Sequence, residues 1–379
     1  MRYRHRVAEA TLKRYLAAFP VVGVTGPRQS GKSTLLRHLL PEYAYFTFDN
    51  PKHRFAFYDD PEGFLHAKKT HVIFDEVQYV PEIFNYIKLY VDEARLDYGN
   101  FILTGSSQFQ FLHHATESLA GRIGLLSLLP FQYSEMPTTL HQTSLFQGGY
   151  PELVMRNYAE SSLWYAAYLE TYLSKDVRAI ANIGDLRDFH RFIQLLAAQV
   201  SQLLDMSVYA RDLGVSVPTI KRWLSILEAS YIIFTLPPFY ENYGKRVIKS
   251  PKIYFYDTGL VSYLTGITTF EQYDQGPLSG HLFENYIISD IVKRELHMAT
   301  HNKMYYLRTQ DKAEIDLIID RKVNKTFIEI KKSATFNPKM IHALAHYAPP
   351  HSERLVLYNG DPYEHRGIKI IPFSSYLQE

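Results

Sequence analysis

The chain has 379 residues, of which 46% are hydrophobic and 21% charged, and its 41 Lys and Arg nearly balance its 39 Asp and Glu. This composition is typical of a globular protein with two or three domains. A net charge of +2 excludes a histone-like protein that coats polyanions. The absence of cysteine excludes disulfides, thiolate metal sites and cysteine nucleophiles. Because no apolar run is long enough to span a membrane and no signal-peptide pattern follows the first residues, we expect a cytoplasmic protein.

Short apolar runs alternate with helical patterns in the first 130 residues. The runs are rich in β-branched and aromatic residues, and they cover Val21–Thr25, Tyr45–Phe48, His71–Phe74 and Phe101–Thr104. Longer mixtures of polar and apolar residues separate them. Buried strands that alternate with helices predict βαβ units and therefore a parallel sheet.

A glycine-rich segment follows the first predicted strand and precedes a helical pattern. It reads G-x-x-x-x-G-K-S, the pattern of loops whose backbone N–H groups surround a phosphate at a helix N-terminus. We expect Lys32 to reach the β- and γ-phosphates of ATP and the Ser33 hydroxyl to bind Mg²⁺. The alternative is a turn that merely caps a helix. The predicted nucleotide-binding residues are Gly26, Pro27, Arg28, Gln29, Ser30, Gly31, Lys32, Ser33 and Thr34.

Two carboxylates end the third predicted strand. Asp75 is expected to hold Mg²⁺, mostly through water, and Glu76 to polarise an attacking water. Without the glycine-rich loop, an acidic turn at which the strand meets solvent would be the better interpretation of the pair. At the end of the next strand, Thr104 or Ser106 can place a hydroxyl near the γ-phosphate. Arg122 is a candidate arginine finger for a neighbouring subunit, or else a solvated or salt-bridged arginine.

Four segments together resemble a family of bacterial and archaeal ATP-binding proteins that join an AAA-superfamily ATPase domain to a C-terminal domain of unknown function. They are the glycine-rich loop, Phe-Asp-Glu-Val-Gln-Tyr-Val-Pro at 74–81, Leu-Thr-Gly-Ser-Ser at 103–107 and Leu-Ala-Gly-Arg at 119–122. The similarity runs along nearly the whole chain. The resemblance implies a P-loop NTPase fold, a parallel αβα sandwich with Walker A and Walker B motifs at strand ends, and it allows an AAA-like homo-oligomer.

The pattern turns helical from about residue 151, and one helix is predicted over 164–180. Residues 203–224 then indicate a helix, a tight glycine turn and a second helix, with Ser207 and Ser216 near the two N-termini. A passage rich in Gly, Thr and Gln, from Thr265 to Gly280, predicts a connector.

The second of these helices has the layout of a DNA-recognition helix. Its apolar residues share one side, which leaves Lys221, Arg222 and Ser225 outward. Two strand-like runs follow and flank a loop that contains Lys245, Arg246 and Lys249. We predict a winged helix-turn-helix, as the family resemblance also implies. The alternative is a lid or a subunit contact that does not touch DNA.

Carboxylates gather on the strands of the C-terminal part, whose predicted order is helix, three strands, helix, strand. Alternation along a strand puts Glu314 beside Asp316 on one strand, and Glu329 beside Lys331 on the next. With Glu284 from the preceding helix, Asp316 and Glu329 form a candidate Mg²⁺ or Mn²⁺ site, in which Lys331 activates water or stabilises a phosphorane. This D…E-x-K spacing on consecutive strands resembles the PD-(D/E)xK nuclease superfamily, of which the restriction endonucleases are typical.

We therefore predict three regions: a P-loop AAA-type ATPase domain (1–145), a helical and winged-helix region (146–265) and a small α/β nuclease-like domain (266–379). The leading hypothesis is Mg²⁺-dependent ATP hydrolysis coupled to DNA binding and metal-dependent DNA cleavage. One alternative is an ATP-dependent switch whose C-terminal carboxylates pair with Lys331, Lys332 or Arg308 and do not cut. Another is a regulator that contacts only protein.

Overall fold

The computed structural model describes residues 3–66, 71–105, 108–173, 186–239 and 249–378. The candidate residues Ser106, Lys245 and Arg246 lie outside the described residues, as does the end of the helix predicted to reach residue 180.

A five-stranded sheet forms the N-terminal region, with strand order β2-β3-β4-β1-β5 and every pair parallel. Its three central strands are buried throughout, as expected for strands covered by helices on both faces. The elements, in chain order, are α1 (Ala8–Leu16), β1 (Val21–Thr25), α2 (Lys32–Leu39), β2 (Ala44–Thr47), α3 (Pro51–Asp59), α4 (Pro61–His66), β3 (Val72–Asp75), α5 (Ile83–Glu93), β4 (Phe101–Thr104), α6 (Gln108–Ser118) and β5 (Ile123–Ser127).

Alternate residues of the central strands enter two different hydrophobic clusters. Phe74 and Leu103 pack in one cluster, with α5 and α6, whereas Ile73 and Ile102 pack in the other, with α1 and α2. The period of two along each strand thus places one cluster on each face of the sheet. This architecture confirms the predicted P-loop NTPase fold of parallel strands between helices.

The middle region is mainly helical and ends in a two-stranded antiparallel sheet. Its elements are α7 (His141–Gln147), α8 (Pro151–Met155), α9 (Ser161–Tyr168) with a π-helical turn at Leu169–Leu173, α10 (Leu186–Ala198), α11 (Met206–Leu213), α12 (Val217–Ala229), β6 (Ile233–Leu236) and β7 (Lys252–Phe255).

Helices α11 and α12 have separate caps on either side of a left-handed glycine. The Asp205 carboxylate accepts a hydrogen bond from the Ser207 amide, so the N-cap of α11 is Asp205 and not Ser207. Gly214, at φ 67°, ends α11, and the Ser216 side chain caps α12. As predicted, Ile220, Leu224 and Leu227 of α12 are buried, whereas Lys221, Arg222 and Ser225 are exposed.

The C-terminal region is a mixed six-stranded sheet with order β12-β13-β11-β10-β9-β8. Its elements are α13 (Thr258–Thr265), α14 (Phe270–Gln275), α15 (Ser279–Met298), β8 (Lys303–Arg308), β9 (Glu314–Asp320), β10 (Lys325–Ile330), a 3₁₀ turn (Pro338–Ile341), α16 (His342–Tyr347), β11 (Glu353–Tyr358), β12 (Tyr363–His365), β13 (Ile368–Pro372) and α17 (Phe373–Gln378).

Two features of this region differ from the prediction. The segment expected to be a connector contains α14, which a capping box between Thr269 and Gln272 initiates and the buried Tyr273 holds in the core. The prediction also ended with β11, but β13 then pairs with β11, and α17 packs on the sheet.

Helix α15 joins the three regions. It is buried along most of its length, and the same hydrophobic cluster includes Leu129, the middle helices and α17. The middle and C-terminal regions therefore share one continuous core. Among the described residues, no helix combines the length and apolarity that a membrane crossing requires.

Candidate functional site

The glycine-rich loop connects β1 to α2 at the carboxyl edge of the parallel sheet. Gly26 has a φ of 141°, and a Cβ at this position would lie 2.0 Å from the carbonyl oxygen of Leu128. Gly31 has a φ of 96° and immediately precedes α2. The first glycine is therefore required by a close backbone approach, and the second by a left-handed turn into the helix.

Lys32 and Ser33 begin α2, and their side chains point to different partners. The Lys32 ammonium is buried and donates hydrogen bonds of 2.9 Å to the carbonyl oxygens of Gly26 and Pro27. The Ser33 hydroxyl donates to Asp75 Oδ2 at 2.8 Å. The loop thus surrounds the lysine tip, and the hydroxyl meets the aspartate that ends β3.

Asp75 collects three hydroxyl groups at the edge of the sheet. Besides Ser33, both Thr104 and Tyr45 donate to its carboxylate, because β2 and β4 flank β3. Burial raises the pKa of Tyr45 to about 12, and the hydrogen bond to Asp75 adds to this increase. Asp75 and Thr104 were predicted from the sequence but Tyr45 was not, since only sheet order brings β2 beside β3.

Glu76 lies one residue beyond the buried strand, in a left-handed conformation with φ 59°. Its carboxylate accepts a hydrogen bond from the Gln78 side chain, and its amide donates to the Thr104 hydroxyl at 3.4 Å. The Glu76 side chain lines the cavity beside the loop.

A cavity of about 960 Å³ lies over the glycine-rich loop. Arg28, Gln29 and Gly31 of the loop and the first turn of α2 form one wall. The N-terminal segment contributes Tyr3, Arg4 and Arg6, and α8 contributes Pro151 and Met155. The volume is at the upper end of the range for small-molecule and cofactor sites. No sequence pattern indicated that the N-terminal segment and α8 would line it.

Arg6 connects the loop to the rest of the chain. Its guanidinium donates to the carbonyl oxygens of Ser30 at 3.0 Å and Leu129 at 2.6 Å, and it forms a buried ion pair of 3.1 Å with Glu135. Burial opposes the charge on Glu135, but the Arg6 guanidinium lowers the pKa of this carboxyl below its ordinary value.

Helix α15 holds the segment that follows β5. His297 Nε2 accepts a hydrogen bond from the Leu129 amide at 3.0 Å, and Asp290 accepts one from the Tyr133 amide at 2.7 Å. Burial lowers the pKa of His297 to about 3, so the imidazole is neutral and its Nδ1 donates to Gln132 Oε1 at 3.1 Å. A helix of the C-terminal region is therefore hydrogen-bonded to the segment after β5, to which Arg6 also binds.

Arg122 lies away from the glycine-rich loop. It precedes β5, and the register of Val21 with Ile123 places it at the amino edge of the sheet, opposite the loop. Its Nε is 2.6 Å from Asp92 Oδ1. Arg122 therefore cannot contact a nucleotide on its own chain, and a role toward a neighbouring subunit stays a prediction.

The predicted C-terminal residues lie together on β9, β10 and α15. Lys331 Nζ is 2.6 Å from Glu329 Oε1 and 3.7 Å from Asp316 Oδ2. Burial and the Asp316 charge raise the pKa of Glu329 well above its ordinary value. Carboxylate oxygens of Glu284, Glu314 and Asp316 lie within 4.8 Å of one another. We call these three carboxylates together with Glu329 and Lys331 the carboxylate cluster.

Lys252 also enters this cluster, and sequence analysis missed it. Its Nζ is 2.7 Å from Glu284 Oε1 and 2.5 Å from Glu314 Oε1. Burial raises the pKa of Glu284 to about 7 despite the nearby ammonium. Arg308 pairs with Glu314 at 3.2 Å, whereas Lys332 pairs with Asp274 outside the cluster. No signal in the sequence connects β7 to the strands that carry the carboxylates.

Comparisons with known proteins divide the chain into three matched segments. An AAA domain model matches residues 18–137, and two models described as domains of unknown function match residues 138–271 (DUF8612) and 279–376 (DUF4143). The Walker-type ATPase PABY2304 of Pyrococcus abyssi is a similar solved structure, with a TM-score of 0.47 and 16% identity over 68% of this chain and 94% of that one.

Curated relatives span most of the chain. An uncharacterized protein of Haemophilus influenzae is 22% identical over an alignment of 395 positions, which covers 93% of each chain. Uncharacterized proteins of Mycobacterium tuberculosis (Rv2008c) and Mycobacterium bovis (Mb2031c) are each 32% identical over 340 residues, 88% of this chain and 75% of theirs. The chain therefore belongs to the same family as these mycobacterial proteins, and its N-terminal part is an AAA-type P-loop ATPase domain.

Proposed function

We propose that the chain is a Mg²⁺-dependent ATPase that acts as a nucleotide-driven switch on DNA. The observation that carries the first half is the contact between Ser33 and Asp75, 2.8 Å apart beneath a loop that opens into a cavity of nucleotide size. A hydroxyl and a carboxylate are the Mg²⁺ ligands of P-loop enzymes.

The protein's own groups have distinct roles in this proposal. Lys32 leaves the loop carbonyls and contacts the β- and γ-phosphates, while the loop amides bind phosphate oxygens. Ser33 and Asp75 hold Mg²⁺, which would neutralise charge on the phosphates. Glu76 orients and polarises the attacking water, and Thr104 fixes both Asp75 and the Glu76 backbone.

Titration calorimetry with ATP and Mg²⁺ tests the nucleotide site. We expect the Lys32→Ala variant to bind ATP roughly 10- to 100-fold more weakly, because charge-assisted hydrogen bonds contribute about 1.5–3 kcal/mol each. Lys13→Ala, which removes an exposed lysine from α1, is the matched control and should bind like the wild type. Absence of heat from ATP with the wild type would overturn the proposal.

The second half of the proposal concerns DNA. Lys221 and Arg222 are exposed on α12, beside a buried apolar side that anchors the helix. Basic groups presented this way bind phosphates and give a salt-dependent affinity. At the carboxylate cluster, Lys252, Lys331 and Arg308 compensate most of the negative charge. This compensation favours a switch that binds DNA without cutting it.

Metal-dependent cleavage is the second candidate function, because Asp316, Glu329 and Lys331 do lie on neighbouring strands within contact distance. Oxygen donors of this kind suit Mg²⁺ or Mn²⁺. In that case Asp316 and Glu329 would hold the ion, and Lys331 would stabilise charge that develops on the phosphate.

Incubation with plasmid DNA and Mg²⁺ or Mn²⁺ separates the two. We expect retardation of the DNA on a gel without cleavage, and retardation that weakens in the double variant Lys221→Glu/Arg222→Glu. Lys13→Glu/Lys52→Glu makes the same charge change on the ATPase domain and should retain binding. Cleavage that disappears in Asp316→Asn would establish the nuclease instead, and a lack of salt-dependent binding would support the protein-only regulator.

A further inference from the structure

Lys252 places a positive charge inside the carboxylate cluster. This residue begins β7, in the middle region, yet its side chain is only 2% exposed and ends among carboxylates of the C-terminal region. The ammonium bridges Glu284 and Glu314, two of the three residues whose oxygens converge within 4.8 Å. It therefore occupies the space between carboxylates in which a cation is stabilised.

Cationic side chains already surround this point. Four carboxylates, Glu284, Glu314, Asp316 and Glu329, face three cations: Lys252, Lys331 and Arg308. A divalent ion bound by Glu284 and Glu314 would lie in contact with the Lys252 ammonium. The ion and the ammonium would repel each other strongly, because they would be in contact and shielded from water. Mg²⁺ also requires near-octahedral oxygen ligands, which a bridging ammonium disrupts.

We propose that the Lys252 ammonium is the resident cation of the carboxylate cluster and excludes divalent metal ions from it. The cluster then serves as an ionic joint between β7 and the C-terminal sheet. Removal of the ammonium creates a divalent-cation site with Glu284, Glu314 and Asp316 as ligands. This inference does not depend on ATP hydrolysis, since none of these residues lines the cavity over the glycine-rich loop.

Mn²⁺ binding to the full-length protein without nucleotide tests the proposal, with free Mn²⁺ followed by electron paramagnetic resonance. We expect the wild type and Asp316→Asn to bind Mn²⁺ equally, because the cluster takes up none. Lys252→Met should gain one site per chain, at least about tenfold tighter than any in the wild type, since a competing charge has been removed. The double variant Lys252→Met/Asp316→Asn should lose this site again.

Two measurements keep the result interpretable. Lys332→Met removes a lysine that pairs with Asp274 outside the cluster, and it should gain no Mn²⁺ site. A cooperative thermal unfolding transition of Lys252→Met, with the wild-type circular dichroism spectrum, would show that the variant folds. If it does not fold, the wild type and Asp316→Asn decide: the change in melting temperature between Mn²⁺ and EDTA should be the same for both. Mn²⁺ binding by the wild type that Asp316→Asn abolishes, or no new site in folded Lys252→Met, would overturn the proposal.

Discussion

Replacement of Glu76 by glutamine is expected to lower ATP turnover by roughly 10²- to 10⁴-fold, the usual contribution of a positioned general base. ATP affinity should stay close to that of the wild type, because Glu76 lines the cavity and in this proposal acts on the water, not on the phosphates. Glutamine keeps the size of the side chain and its contact with Gln78 but cannot polarise water through a negative charge. Phosphate release under saturating ATP measures the change.

Lys32→Ala and Glu76→Gln should impair different steps, ATP binding and ATP hydrolysis respectively. Lys32→Ala should weaken ATP binding, whereas Glu76→Gln should bind ATP and fail to turn it over. Glu82→Gln removes an exposed carboxylate from the start of α5 and is the control for a general loss of charge. Wild-type turnover in Glu76→Gln would assign the water-activating role to another group.

Acid is expected to destabilise the chain through His297. The imidazole has a folded-state pKa of about 3, below the ordinary value of 6.5, because it is buried and its Nε2 accepts from Leu129. Below pH 6.5 the unfolded chain takes up a proton that the folded chain refuses. The stabilisation is therefore complete above pH 6.5 and is lost progressively as the pH falls toward 3.

A pH of 5 is about 1.5 units below the pKa of this histidine in the unfolded chain. Protonation of the unfolded chain therefore lowers the free energy of unfolding by roughly 2 kcal/mol at pH 5. Urea titrations measure the free energy of unfolding at pH 7 and pH 5. Between these two pH values, His297→Gln should lose about 2 kcal/mol less of this free energy than the wild type. Glutamine can still accept the Leu129 hydrogen bond but does not titrate. The exposed His346→Gln is the control and should follow the wild type. Equal acid sensitivity in all three proteins would show that His297 does not govern it.

The nucleotide site was predictable because its chemistry is local. Gly26, Lys32 and Ser33 lie within eight consecutive positions, and their backbone requirements are met within one loop and one helix turn. Asp75 and Thr104 each end a strand, and parallel pairing brings the carboxyl ends of β1, β3 and β4 to one edge. The hydrophobic period of two was therefore sufficient to place these residues together.

Other parts of the prediction failed for local reasons that the sequence carried less clearly. Segment 265–280 is rich in residues typical of loops, yet the Thr269–Gln272 capping box and the buried Tyr273 make part of it helical. The sequence placed Ser207 near the N-terminus of α11, but the cap itself is Asp205, two positions earlier, whose carboxylate accepts the hydrogen bond. Arg122 is a separate case: strand direction places it at the opposite edge of the sheet from its own loop, and its role toward a neighbouring subunit stays a prediction.

The parallel sheet, the phosphate-binding loop and the strands that carry Asp316 and Glu329 follow from spacing along short segments, so they can be inferred from the order of residues alone. Which distant groups meet at these sites depends on how the helices and strands pack. Arg6 reaches Ser30 because α1 packs on the sheet, and Lys252 reaches Glu284 because β7 lies against α15. Contacts between segments far apart in the chain form through the packing of whole elements, and no local period encodes them.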